Sequence, residues 1–173
     1  MTDFVPNSGS SYLAHPNPLN KGGLEPLSFR GGGPDCPFIE NVSFHGMRKG
    51  MHYDPGPNGI WISITDPTME PAKPAFKFSE WHEFHFLDID KTSADWDQMK
   101  EFAITPEDGK KIADILTSAF LEGRNVIVSC VAGLCRSGAV AEAGIAYGFQ
   151  DTGVVRAPNV MVKSAILKEM NWG

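Results

Sequence analysis

The chain has no long apolar run. Nothing in it approaches the ~20 consecutive apolar residues that a membrane helix requires. It has no excess of positive charge either: fifteen Lys and Arg stand against twenty-one Asp and Glu, a net charge of -6. That balance argues against a general binder of nucleic acid or of anionic membranes, and leaves room only for a local basic pocket. Cysteine is scarce, with Cys36, Cys130 and Cys135 the three present. An odd count, behind an N-terminus without a basic stretch and apolar core, does not describe a secreted disulfide framework. These absences set the expectation of a reduced, cytoplasmic protein that does not associate with membranes.

What is present fits one globular domain. The 173 residues are enough to bury ~70% of the surface an unfolded chain would expose, so no cross-links are needed. Residues 1–37 are dense in turn residues, among them Pro16, Pro18, Gly22, Gly23, Pro26, Gly31 to Gly33 and Pro34. They form an expected irregular N-terminal segment, anchored by Tyr12, Leu13, Leu24, Leu27 and Phe29. An α/β domain is expected over 38–173.

Within that domain the pattern alternates. Strands are predicted over Phe38 to Phe44, Trp61 to Thr65 and Trp81 to Asp90, with Gly46 to Gly59 and Pro67 to Pro74 as connections. A helix follows, with Thr105 as N-cap, Pro106 in the first turn, Glu107 and Asp108 at the positive end, and Gly123 as its stop. Ile112, Ile115, Leu116, Ala119 and Phe120 share one of its faces. A strand over Asn125 to Ser129 then runs into S-C-V-A-G-L-C-R-S-G, and a helix from Arg136 to Tyr147 leaves it. A last helix starts near Pro158. Strand, helix, strand, loop, helix predicts a central, mostly parallel sheet flanked by helices. The loop falls at the carboxyl end of a strand, the edge at which open α/β sheets bind ligands.

Packing explains Val126 to Val128 but not Cys130 and Arg136. A loop between a strand end and a helix N-terminus can converge its amides on one point and form an anion nest. Gly133 permits backbone conformations closed to other residues. Arg136 can clamp two oxygens of a phosphate. The positive field of such a loop favours the thiolate, which is the nucleophile, and Ser137 can donate a hydrogen bond to it. The chemistry implied is phosphoryl transfer through a phosphocysteine. It needs a carboxylic acid nearby to protonate the leaving oxygen. Asp88, Asp90, Asp95 and Asp97 are on offer.

S-C-V-A-G-L-C-R-S resembles the signature loop of the dual-specificity and related cysteine-dependent protein tyrosine phosphatases, H-C-x-x-G-x-x-R-S. Cys130, Gly133, Arg136 and Ser137 match it. V-I-V-S-C-V-A-G-L-C-R-S-G-A-V-A is similar to the corresponding stretch of small bacterial and phage-type members. F-H-F-L-D-I-D is similar to their acid-bearing strand end, and W-I-S-I-T-D-P to their early strand. The likeness covers roughly Ile60 to Met170. It implies a dual-specificity phosphatase-like fold, Cys130 as nucleophile and Arg136 as the phosphate clamp. It also implies loop amides from Val131, Ala132, Gly133, Leu134 and Cys135, and Ser137 assisting thiolate departure. Asp90 is the first choice for the acid and Asp88, taken to share its strand face, the second. The implied partner is a phosphorylated substrate, whether protein, nucleotide or another phosphate monoester, with no cofactor and no metal.

Two positions depart from the family pattern. Ser129 stands where the family has histidine, and its hydroxyl is expected to keep part of that hydrogen-bond network. Cys135 stands where serine is frequent. Two cysteines on one tight loop suggest a reversible disulfide if their geometry permits; the alternative is a small side chain turned to the core. Of the remaining motifs, H-E-F-H puts His82 and His85 on opposite strand faces, which disfavours a shared metal. His45 and His52 read as loop histidines, and Trp61 and Trp81 as core or pocket wall. Two other functions compete with a phosphatase: a catalytically silent phosphate-binding module, and a rhodanese-like sulfurtransferase, which also uses a loop cysteine.

Overall fold

The computed structural model describes residues 28, 29 and 36–170. The irregular N-terminal segment therefore lies outside the described residues, apart from Ser28, Phe29, Cys36 and Pro37. Five strands form one sheet: β1 (Phe38–Ser43), β2 (Ile60–Thr65), β3 (Glu80–His85), β4 (Val126–Cys130) and the short β5 (Gln150–Asp151). Their spatial order is β3-β2-β4-β1-β5, and every pair is parallel. The helices are α1 (Phe44–Lys49), α2 (Trp96–Met99) with a 3-10 turn over Lys100–Phe102, α3 (Pro106–Leu121), α4 (Arg136–Tyr147) and α5 (Val160–Leu167). The chain is thus an α/β fold with helices on an all-parallel sheet.

The central strands are buried on both faces, which is why β2 and β4 read as mostly apolar runs, while β1 buries Glu40 and Asn41 among its apolar residues. Alternation divides their side chains between two cores. Ile39, Ile62, Val126, Val128 and Cys130 pack with Ile112 and Leu116 of α3, Val140 of α4 and Ile166 of α5. Phe38, Val42, Trp61 and Ile127 face the other way, onto Met47 of α1, Ala72 and Phe78. Three helices cover the first face. The second is covered by α1 and the extended connections around it.

The predicted elements recur, and α2, the 3-10 turn after it and β5 are additions to them; three further differences bear on the site. Gly46 opens no loop. Ser43 caps α1 by accepting from the Gly46 amide at 2.8 Å, and Gly50 ends the helix in the left-handed region. The strand predicted over Trp81 to Asp90 stops at His85: the Phe86 amide makes the last ladder bond, to Thr65 O, and the Leu87 amide then turns to Phe102 O. The strand into the cysteine loop runs one residue further than predicted, so that Cys130 itself pairs with Ser43 of β1. The α3 start is as read: Thr105 Oγ1 accepts from the Asp108 amide and Asp108 returns the bond to the Thr105 amide. Beyond Leu121, Gly123 takes a φ of 68°.

Candidate functional site

The cysteine loop sits over the carboxyl ends of β1 and β4, at the N-terminus of α4. Its backbone is fixed from outside. Val131 O accepts from the Phe44 amide at 3.2 Å. Gly133 O accepts from Asn41 Nδ2 at 2.7 Å. Leu134 O accepts from the Ala157 amide and Cys135 O from the Asn159 amide, each at 3.0 Å. In a trans peptide the N–H points opposite the carbonyl, and the chain has no cis bond among the described residues. The amides of Ala132, Leu134, Cys135 and Arg136 are therefore turned away from these outer partners, which is the arrangement of an anion nest.

Gly133 makes the turn possible. Its φ is 76°, and a Cβ there would lie 2.4 Å from Ser43 N. Its own amide donates to Cys130 Sγ at 3.3 Å. The same sulfur meets Ser137 Oγ at 3.1 Å. Cys130 and Ser137 are buried, while Val131 and Ala132 are exposed, so the loop opens to solvent over its first residues.

Arg136 leaves the loop as the first residue of α4 and is itself buried. One terminal nitrogen, NH1, donates to Asp66 Oδ1 at 2.8 Å and to Phe86 O at 2.7 Å. These two bonds anchor the guanidinium at its far end. Nε is buried without a partner. A buried donor left unmade costs about 1–3 kcal/mol, and an oxyanion in the loop would satisfy it.

Two of the four aspartates are resolved into different environments. Since β3 stops at His85, strand alternation does not extend to Asp88 and Asp90, and they do not share a face. Asp88 Oδ1 accepts from Asn159 Nδ2 at 2.8 Å, and Asp88 lies beside the Cys135 thiol. Asp90 turns back on its own loop, accepting at Oδ1 from Thr92 Oγ1 at 2.6 Å and from the Thr92 amide at 2.8 Å. Those bonds, the hydroxyl's first, hold the Asp90 carboxyl below its usual range. Asp95 and Asp97 are exposed at the start of α2.

Ser129 is placed on the opposite face of β4 from Cys130. Its hydroxyl accepts from Trp61 Nε1 at 2.9 Å in the second core, because neighbouring residues of a strand point to opposite sides. Cys135 is half-buried, and its thiol, like those of Cys36 and Cys130, is free. Burial first, and then the charge and hydrogen bonding of Asp88, push the Cys135 thiol up. His82 and His85 take different partners, Glu80 and Thr65. His52 is buried against Phe76 and Phe78 rather than solvated. Arg156 is held by Asp151 and Glu142.

Three residues around the loop carried no signal in the sequence reading: Asn41, Asp66 and Asn159. Asp66 was legible only as the D of a strand-ending D-P. Asn41 sits mid-strand among apolar residues, where an unexplained buried amide is the one hint available. No family model matches the chain, and no curated protein matches it. What is defined is a class of site: a cysteine cradle with a buried arginine at the carboxyl edge of a parallel sheet.

Proposed function

We propose that this protein is a cysteine-dependent phosphatase that hydrolyses a phosphate monoester, of the protein tyrosine and dual-specificity type. The observation that carries the reading is the unpartnered Nε of buried Arg136, beside a loop whose carbonyls are held outward around Cys130 Sγ. The phosphoryl group sits in the nest with its oxygens on the loop amides and the free edge of Arg136. Cys130 Sγ attacks phosphorus in line, the ester oxygen departs, and Asp88 in its protonated form gives that oxygen a proton. The resulting Asp88 carboxylate then takes a proton from water as the water attacks the phosphocysteine. Ser137 donates to the sulfur as it leaves. Arg136 and the amides stabilise the charge on the equatorial oxygens in both steps.

Asp88 is preferred to Asp90 as the acid. The Asp90 carboxyl is depressed by Thr92 and bonded into its own turn, which suits an anion and not a proton donor. Asp88 lies against the cysteine loop through Cys135 and Asn159.

The test is hydrolysis of 4-nitrophenyl phosphate by the reduced protein, with chelator present, beside Cys130→Ser. A loss of about 10³-fold or more in kcat is expected for the variant; undiminished turnover by Cys130→Ser would sink the reading. Phosphate that shields Cys130 from alkylation in a protein that hydrolyses no ester would identify a silent phosphate-binding module instead. Thiocyanate formation from thiosulfate would identify a sulfurtransferase.

A further inference from the structure

Asn159 spends every polar atom it has at one junction. Its amide N–H donates to Cys135 O at 3.0 Å, inside the cysteine loop. Its Oδ1 accepts from the Val162 amide at 3.0 Å and caps α5. Its Nδ2 donates to Asp88 Oδ1 at 2.8 Å and to Ile89 O at 3.2 Å. The side chain is buried, so these bonds are shielded from competing water. Asp88, by contrast, is on the surface beyond the end of β3, where no ladder holds it.

We propose that Asn159 is the positioning residue for the general acid: it fixes the Asp88 carboxyl, through Oδ1, against the loop that bears Cys130. This rests on the phosphatase reading. Of the two carboxyl oxygens, Oδ1 is held by Asn159 Nδ2, and Oδ2 is assigned the proton. The same residue sets the height of the loop by its backbone bond to Cys135 O. The acid and the nucleophile's cradle are thus registered to one another by a single residue, through its backbone and its side chain, and a loose surface aspartate acquires a fixed direction. The proton moves from Asp88 Oδ2 to the ester oxygen as the P–O bond breaks and the S–P bond forms; Asn159 exchanges no proton.

The experiment separates positioning from capping. Asn159→Ser keeps an N-cap oxygen for α5 and the backbone bond to Cys135, and removes the amide donor to Asp88. Values of kcat/KM, which report the first chemical step, are compared for phenyl phosphate, whose leaving group needs a proton, and 4-nitrophenyl phosphate, whose leaving group needs it far less. Asp88→Asn is the reference, and the inhibition constant of inorganic phosphate monitors the loop. The expected result is a loss of about 10²-fold on phenyl phosphate in both variants, a loss under about 10-fold on the nitrophenyl ester, and unchanged phosphate inhibition. The double variant should be no worse than Asp88→Asn alone.

Equal losses on both esters, weakened phosphate inhibition, or activity at the wild-type level in Asn159→Ser would each overturn the inference while leaving the phosphatase in place. So would an Asp88→Asn variant without leaving-group selectivity, since the acid would then be another residue. Wild-type protein inert toward both esters would remove the phosphatase reading, and the role of Asn159 with it.

Discussion

At Gly133 the cysteine loop and strand β1 nearly touch. An added Cβ would meet Ser43 N at 2.4 Å and Ser43 Cα at 2.7 Å, on a backbone whose φ of 76° already disfavours a side chain. Both contacts are with backbone, which cannot swing aside. Gly133→Ala is expected to lose about 1–3 kcal/mol in urea unfolding and to bind phosphate more weakly; a variant equal to wild type in both would mean that the loop moves freely off β1. Arg136 makes a second case. Lysine offers one ammonium where the guanidinium holds Asp66 and Phe86 O with one nitrogen and keeps Nε for the ligand. Arg136→Lys is expected to lower kcat/KM about 10²-fold or more with little change in the unfolding midpoint. Both residues were legible in the sequence because their chemistry is rare at a strand–helix junction. Asn41 and Asp66 were not. Each acts on a residue 70 or more positions away, Asn41 on Gly133 and Asp66 on Arg136, and no local pattern records such a pairing.

Helix α3 was legible because its ends carry chemical marks. Thr105, Pro106 and Asp108 announce α3, and the reciprocal bonds of Thr105 and Asp108 are formed. Thr105→Ala is expected to cost about 1 kcal/mol and to lower Tm by about 2–4 °C, read by thermal unfolding monitored by circular dichroism; an unchanged Tm would mean that α3 is held by its packing alone. The end of β3 was not legible. W-H-E-F-H-F-L-D-I-D keeps its alternating character past His85, while the chain, after a last ladder bond from Phe86 to Thr65 O, turns to a tertiary partner, Phe102 O. That early ending separates Asp88 from Asp90. The pattern of alternation placed them on one face, and local hydrogen bonding sends one toward the cysteine loop and the other into a turn with Thr92. The helix at Phe44–Lys49 was hidden because it is six residues long, holds Gly46 and ends at Gly50. Gly46 in fact sits so close to Val42 that a Cβ would fall 2.7 Å from its side chain.

For the molecule as a whole, the second core contains two ionisable groups that shape stability. Glu40, on the same face of β1 as Phe38 and Val42, is fully buried, accepts from the Tyr53 amide at 2.8 Å through Oε1, and has no partner for Oε2. Burial raises its pKa from 4.5 to about 8, against the lowering effect of the Tyr53 bond. His52 is lowered by burial from 6.5 to about 4. Between pH 4.5 and 8 the unfolded chain has released the Glu40 proton that the folded chain keeps, so stability falls as pH rises. Between pH 4 and 6.5 the unfolded chain binds the His52 proton that the folded chain refuses, so stability rises with pH. The two slopes oppose each other from 4.5 to 6.5, and above 6.5 Glu40 acts alone. Stability is expected to decline by about 2 kcal/mol from pH 6.5 to 8, and Glu40→Gln to abolish that decline in urea titrations. Parallel pH profiles for the two proteins would show that Glu40 is not the group responsible. This buried carboxyl was not legible in the sequence because F-I-E-N-V-S reads equally well as a strand with its acid in solvent.

The bond from Trp61 to Ser129 has a spectroscopic consequence. Trp61 is fully buried, and its indole N–H ends on the residue immediately before Cys130, on the far side of the sheet from any ligand in the loop. That indole is a built-in listening post. With the chain's four tryptophans replaced by 5-fluorotryptophan, the Trp61 fluorine resonance should shift when Cys130 is alkylated or an oxyanion enters the loop. The signal would come from a probe that neither reagent can touch.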